Sequence, residues 1–192
     1  MVLQELIKHS FLSKYVLVGG SALSLHLCHR KSEDLDFFTY ENNFNTDEIL
    51  GLFKYFQKKE ILNRTDELID ALLDGVKVTF FNAHWGFLEP LEISNFNLAT
   101  LEQIAIMKTN VLFLRAKYRD YYDLYFLIKN FGVRKVYEMS KDIVEGINFK
   151  LFASALIYID DIEDENINHL EPKQKLSLYE IRGFFEKELA KL

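Results

Sequence analysis

The chain has 192 residues, 49% of them apolar, with 17 Phe and 10 Tyr, so a sizeable core can form and compositional disorder is excluded. Its single cysteine, Cys28, excludes an internal disulfide framework and suits a reducing compartment. A formal net charge of −6 argues against a protein that lives on non-specific phosphate contacts, although much of the acidity sits in one run, Asp160 to Glu165 (DDIEDE).

Taken in chain order, the opening residues MVLQELIKHSFLSK lack the basic start and apolar run of a secretory leader. No later stretch approaches the ~18 apolar residues of a membrane span, so cytoplasm and no membrane partner are expected. Leu3, Leu6 and Ile7 predict a helix over the first ten residues. Tyr15 to Val18 reads as a strand ending in the Gly19-Gly20 turn, and Ser21 as the N-cap of a helix to about Arg30. Asp34 to Phe38 alternates as a half-buried strand should. A helix is expected over Asp47 to Lys59, and a strand over Glu67 to Asp74. Asp74-Gly75 then signals a turn before a strand from Val76 to Phe81.

Beyond a polar loop at Ser94 to Leu98 the pattern becomes helical. Thr100 with Gln103 forms a capping box for a helix to about Arg115. Further helices are expected at Tyr118 to Asn130, Val133 to Ser140, Phe149 to Leu156 and Lys173 to Leu192. The fold class is α/β (α+β): a small mixed sheet flanked by helices over residues 1–98, then a helical half over 99–192. Basic residues gather at Lys54, Lys58, Lys59 and Arg64 and at Arg115, Lys117 and Arg119; both groups read first as solvated helix surface.

Two acids at alternate strand positions are the most informative local feature. Asp34 and Asp36 leave one face with Cα atoms about 6.5–7 Å apart, while Leu35 and Phe37 take the other. Carboxylates this close repel, and a divalent cation relieves the repulsion. Mg²⁺ (or Mn²⁺) favours a few carboxylates completed by substrate phosphates, as in phosphoryl or nucleotidyl transfer. The competing reading is a wet sheet face. Upstream, Gly19-Gly20-Ser21 joins a strand to a helix, where free N–H groups attract an anion and Ser21 can add a hydroxyl. A capped helix start explains the same residues. Neither G-x-x-x-x-G-K-[ST] nor G-x-G-x-x-G is present.

On the helix from Thr100, Lys108 shares a stripe with Leu101, Ile104, Ala105, Val111 and Leu112. It either snorkels to the edge of the core or reaches triphosphate oxygens in a cleft. Asp120 and Asp123 share a helix face with Leu124 and Leu127. Asp123 stands at the margin of core and cleft, able to pair with Lys108, orient a water or serve as a base. Arg119 reads equally as a phosphate grip or a helix ion pair, and Asp120 as a surface acid. His26, Cys28 and His29 do not converge as zinc ligands, and Cys28 is expected to pack inside. His84-Trp85 reads as an aromatic cap on the core ahead of a base-binding wall, and Tyr118, Tyr121, Tyr122 and Tyr125 as helix packing from which one ring could stack on a nucleobase.

The run GGSALSLHLCHRKSEDLDFF, Gly19 to Phe38, resembles the signature of the AbiEii/AbiGii toxin family of nucleotidyltransferases, within the DNA polymerase β-type superfamily. The likeness continues through Glu89 to Lys129, EPLEISNFNLATLEQIAIMKTNVLFLRAKYRDYYDLYFLIK, and weakly in Ala155 to Glu165. It implies an Mg²⁺-dependent transfer of a nucleoside monophosphate from ATP, GTP, CTP or UTP to an acceptor. Asp34 and Asp36 would hold the metal, and Gly19, Gly20, Ser21, Lys108 and Arg119 the nucleotide. Lys108 and Asp123 would join Asp34 and Asp36 in the active site, with the helical part completing the cleft.

The resemblance also implies the toxin half of a toxin–antitoxin or phage-defence pair, an RNA acceptor such as transfer RNA, and a cognate antitoxin protein. One departure stands out. Superfamily members often supply a third carboxylate from a neighbouring strand, whereas Thr79 occupies that slot here and Asp74 lies just before it. The alternatives are a small-molecule nucleotidyltransferase resembling aminoglycoside-modifying enzymes, a non-catalytic nucleotide-binding module, and a kinase-like phosphoryl transferase.

Overall fold

The computed structural model describes residues 2–39, 44–93, 96–115, 117–159, 162 and 167–192. The chain divides into two units, residues 1–26 with 32–100, and residues 27–31 with 101–192. Apart from Ile162, the acidic run lies outside the described residues.

Among the described residues the first unit carries one mixed sheet of seven strands. They are β1 (Val16–Val18), β2 (Leu35–Thr39), β3 (Lys59–Arg64), β4 (Leu68–Leu73), β5 (Val76–Asn82), β6 (Leu91–Ile93) and β7 (Phe96–Leu98). Their order is β3-β4-β5-β2-β1-β7-β6. The β2–β5 and β1–β7 pairs are parallel and the others antiparallel. Helices α1 (Val2–Leu6), α2 (Gly19–Leu27) and α3 (Thr46–Leu52) accompany them.

Period-two patterning decides which sheet face is dry. Leu35 and Phe37 on β2, Val78 and Phe80 on β5, and Ile69 and Ala71 on β4 are buried, while Asp36 and Phe38 are half-buried. Phe37 stacks on Phe80 at 5.4 Å, and Tyr15 meets Phe80 edge-on at 5.1 Å. Burying an aromatic or large aliphatic side chain stabilises by about 1.5–3 kcal/mol, so this face carries the unit. Asp74 and Gly75 join β4 to β5 with φ of 46° and 87°, as a two-residue hairpin turn requires. Asp74 also accepts from the Lys58 amide at 2.7 Å.

The second unit is helical: α4 (Leu101–Leu114), α5 (Tyr118–Phe131), α6 (Val133–Ser140), α7 (Phe149–Ile157) and α8 (Leu178–Leu189). Tyr121, Leu124, Leu127 and Ile128 form the buried stripe of α5, with Phe152, Leu156, Ile181 and Phe185 among the core residues of α7 and α8. The tyrosine stripe packs as expected. Tyr121 Oη donates to the carbonyls of Ala155 and Tyr158, and Tyr122 Oη to that of Gln174. Asn148 caps α7, and Ser177 with Glu180 forms a capping box on α8.

Several boundaries differ from the sequence expectation. The helix expected over Asp47 to Lys59 ends in a 3-10 turn at Phe53–Tyr55, and β3 begins at Lys59. Every β3 residue is exposed, so no alternation betrayed it. The loop near Ser94 to Leu98 contains β7, whose parallel pairing with β1 no local pattern announces; Ser94 and Asn95 lie outside the described residues. Helix α2 stops at Leu27 rather than Arg30, and α8 starts at Leu178 rather than Lys173, after its capping box. No helix among the described residues is long and apolar enough to cross a membrane.

Candidate active site

Two clusters gather the candidate residues, one in each unit. In the first, β1 ends at Val18 and α2 begins directly at Gly19, whose φ of +68° lies in the left-handed region. A Cβ on Gly19 would stand 2.8 Å from Asp36 Oδ2. The Asp36 carboxylate therefore lies against the glycine backbone, at the positive end of a nine-residue helix. Cross-strand pairing of Val18 with Asp36 enforces this approach.

Ser21 corrects the sequence reading. It lies inside the first turn of α2 instead of capping it, and its buried hydroxyl donates to the Asp34 carbonyl. The hydroxyl thus anchors the chain entering β2 and is not turned out toward a phosphate. Asp34 is half-buried just before β2 and makes no side-chain ion pair among the described residues. Gly20 is the second residue of α2, and its carbonyl accepts from Ser24 Oγ at 2.8 Å.

The third-carboxylate question resolves differently from either sequence candidate. Asp74 is engaged in the hairpin turn. Thr79 pairs with Asp36 across β5–β2 and with Asp70 across β5–β4, so the three side chains share one sheet face. Thr79 Oγ1 donates to Asp70 Oδ1 at 2.6 Å, and Lys77 Nζ lies 3.7 Å from the same oxygen. Asp70 escaped the sequence analysis because its place beside Thr79 depends on hairpin register. Its signal was alternation with the buried Ile69 and Ala71, counted back from the Asp-Gly turn.

This cluster offers a divalent cation two carboxylates as candidates, Asp34 and Asp36. The Asp36 carboxylate adjoins the glycine turn and the Asp34 carbonyl is tied to Ser21, while no group of three His, Cys, Asp or Glu side chains among the described residues is gathered to hold an ion. Nucleotide phosphates would have to complete the shell.

The second cluster is buried. Lys108 on α4 neither snorkels nor stands free: its ammonium pairs with Asp123 at 2.6 Å and Asp120 at 2.9 Å. Asp123, on α5, is fully buried and also accepts from His29 Nε2 at 2.8 Å and from Arg30 Nε and Nη2, both at 2.7 Å. Burial alone would push the Asp123 carboxyl up. The Lys108 charge and the His29 and Arg30 hydrogen bonds overcome it and hold the group well below the usual carboxylate range. A carboxylate so held is unsuited to accept a proton as a base.

Asp120 is not the surface acid expected. It is fully buried, with Oδ2 lacking a hydrogen-bond partner among the described residues and Arg115 Nε 3.6 Å away. Burial, then the Asp120 charge, push the Tyr121 phenol up to about 12. Arg119 is half-buried and makes no ion pair among the described residues. Cys28 is exposed at φ +48°, contrary to expectation, while the adjacent His29 and Arg30 are buried. His29 and Arg30 could not be found from helix periodicity, since they lie past the end of α2 on a segment held by α5. Trp85 packs near Phe38 at 5.8 Å as an aromatic cap, whereas His84 is exposed on Glu67.

Residues 2–84 match the model of the family described as nucleotidyl transferase AbiEii toxin, Type IV toxin–antitoxin system. The family expected from the glycine turn and the carboxylate strand is thus the one whose model matches, over residues 2–84. A protein of Aquifex aeolicus (strain VF5), "Uncharacterized protein aq_aa25", is 28% identical over 97% of this chain and 92% of its own length. The crystal structure of JHP933 from Helicobacter pylori shares the fold, with TM-score 0.60 and 21% identity over 100% of this chain and 92% of that one. MenT4, a nucleotidyltransferase toxin from Mycobacterium tuberculosis H37Rv, shares it with TM-score 0.55 and 14% identity over 98% and 82% of the two chains.

Proposed function

We propose that this chain is a nucleotidyltransferase that moves a nucleoside monophosphate from a nucleoside triphosphate to a hydroxyl of an RNA acceptor, with transfer RNA as the candidate, as the toxin half of a toxin–antitoxin pair. The observation that carries the reading is the approach of Asp36 to Gly19. The Asp36 carboxylate can lie against the N-terminus of α2 only because residue 19 has no side chain. The match over residues 2–84 supports the same chemistry.

In this reading the Gly19 and Gly20 backbone receives the triphosphate, while Asp34 and Asp36 hold Mg²⁺. The metal supplies charge neutralisation at the phosphates and acceptor oxygen. The acceptor oxygen bonds to the α-phosphorus, the bond to the bridging oxygen breaks, pyrophosphate departs, and the acceptor proton passes to solvent. Ser21 holds the carboxylate strand by its carbonyl. Lys108 stays paired with Asp120 and Asp123 within the second unit, where Arg30 and His29 also compensate Asp123. Cytoplasm and a cognate antitoxin protein follow from the toxin assignment.

The test is incubation of the protein with each α-labelled triphosphate, Mg²⁺ and total RNA, beside Asp36→Ala. Label entering RNA with the wild type alone is expected; equal labelling by both proteins refutes the site. A net charge of −6 favours a second acceptor class, small molecules, and label appearing in an aminoglycoside in place of RNA would select it.

A further inference from the structure

The row of side chains running from Asp36 across the sheet has a direction to it. Asp36, Thr79 and Asp70 occupy directly paired positions on β2, β5 and β4, about 4.8 Å apart per strand, and share one face. Thr79 has a single hydroxyl proton, and the 2.6 Å bond to Asp70 Oδ1 commits it away from Asp36. Its oxygen is thereby left with lone pairs and no proton of its own to offer. Thr79 is only 8% exposed, so this geometry is held by the sheet and not by solvent. Lys77, two residues back on the same face, lies 3.7 Å from the same Asp70 oxygen.

We propose that Thr79 receives the hydrogen bond of the attacking hydroxyl beside Asp36, and that Asp70 is a positioning residue that aims the Thr79 oxygen at it. This rests on the nucleotidyl-transfer reading and adds the acceptor side to a site so far described only for the nucleotide. The row requires an acceptor of O–H type, a ribose or sugar hydroxyl, because an incoming phosphate oxygen carries no proton for Thr79 to accept. Orientation of the nucleophile is felt in the rate of transfer and not in nucleotide affinity.

The experiment measures steady-state labelling of total RNA and, separately, binding of the four triphosphates by equilibrium dialysis. Thr79→Val and Asp70→Ala are each expected to lower kcat about tenfold with nucleotide affinity unchanged within about twofold. Their double variant should be no slower than the slower single one, because both remove the same contact. Thr79→Ser and Asp70→Asn keep the hydroxyl and its acceptor and should stay near wild type. Should Asp70→Ala fail to fold, Thr79→Val against Asp70→Asn decides the matter alone.

Wild-type rates in Thr79→Val overturn the inference. So does an Asp70→Asn loss as large as the loss in Thr79→Val, which would make the charge of Asp70 the active feature. Additive losses in the double variant also overturn it. If Asp36→Ala is dead while Thr79→Val is unaffected, nucleotidyl transfer stands and this inference falls. If the wild type labels nothing with any triphosphate, both fall.

Discussion

Asp123→Asn removes one negative charge from the buried cluster of the second unit while keeping the side-chain shape. In the native arrangement that carboxylate receives His29, two nitrogens of Arg30 and Lys108, all within 2.8 Å. The amide retains a single acceptor oxygen and turns an NH₂ toward one of these donors. Arg30, nearly inaccessible to water, then has no carboxylate, and Lys108 keeps only Asp120. Breaking a buried pair in this way costs about 3–5 kcal/mol, because a desolvated cation is left uncompensated. At 1.4 kcal/mol per factor of ten, amide protection in α5 should fall by about two to four powers of ten in native-state hydrogen exchange, which reads this unit by itself.

The pH dependence gives an independent check. Asp123 has a folded-state pKa held below its ordinary value of 3.8, so the stability it contributes is fully present above about pH 4. That stability is lost as the pH falls from there through the folded-state value, where the native carboxylate finally takes up its proton. Wild-type α5 should therefore lose protection as acid is added below about pH 4, and Asp123→Asn should lack that component. A protection change under about 1 kcal/mol, or an unaltered acid profile, refutes the claim that this carboxylate organises the cluster.

Other outcomes follow from the first unit. Gly19→Ala places a methyl 2.8 Å from Asp36 Oδ2 at a φ of +68°, so labelling of RNA should fall at least tenfold, with about 1–2 kcal/mol lost in urea unfolding. Ser21→Ala leaves the Asp34 carbonyl without its donor and should cost about 1 kcal/mol; a full loss of nucleotide affinity instead would mean the hydroxyl binds phosphate. Arg30→Lys cannot reproduce the two-nitrogen contact with Asp123 and should lower α5 protection by about tenfold or more. Removal of divalent cations by EDTA should abolish labelling, and Mg²⁺ or Mn²⁺ should restore it; transfer persisting in EDTA would refute the two-carboxylate site.

Local chemistry in the sequence settled a definite part of this protein. Alternation over Leu35–Thr39, the Asp74-Gly75 turn and the apolar stripe of α5 are each written within a few residues, because they follow from backbone periodicity and φ preference. The pairing of a glycine turn with an acid-apolar-acid strand was legible for the same reason. Only the tertiary structure decided what each polar group meets. Lys108 and Asp123 were visible as polar residues in apolar stripes, but the further partners of Asp123, His29 and Arg30, come from a segment some ninety positions away. Asp70 gains its place through register, and β7 exists because β1 offers it a parallel edge. Hydrogen bonds and ion pairs form between groups adjacent in space, and distance along the chain carries no record of that adjacency.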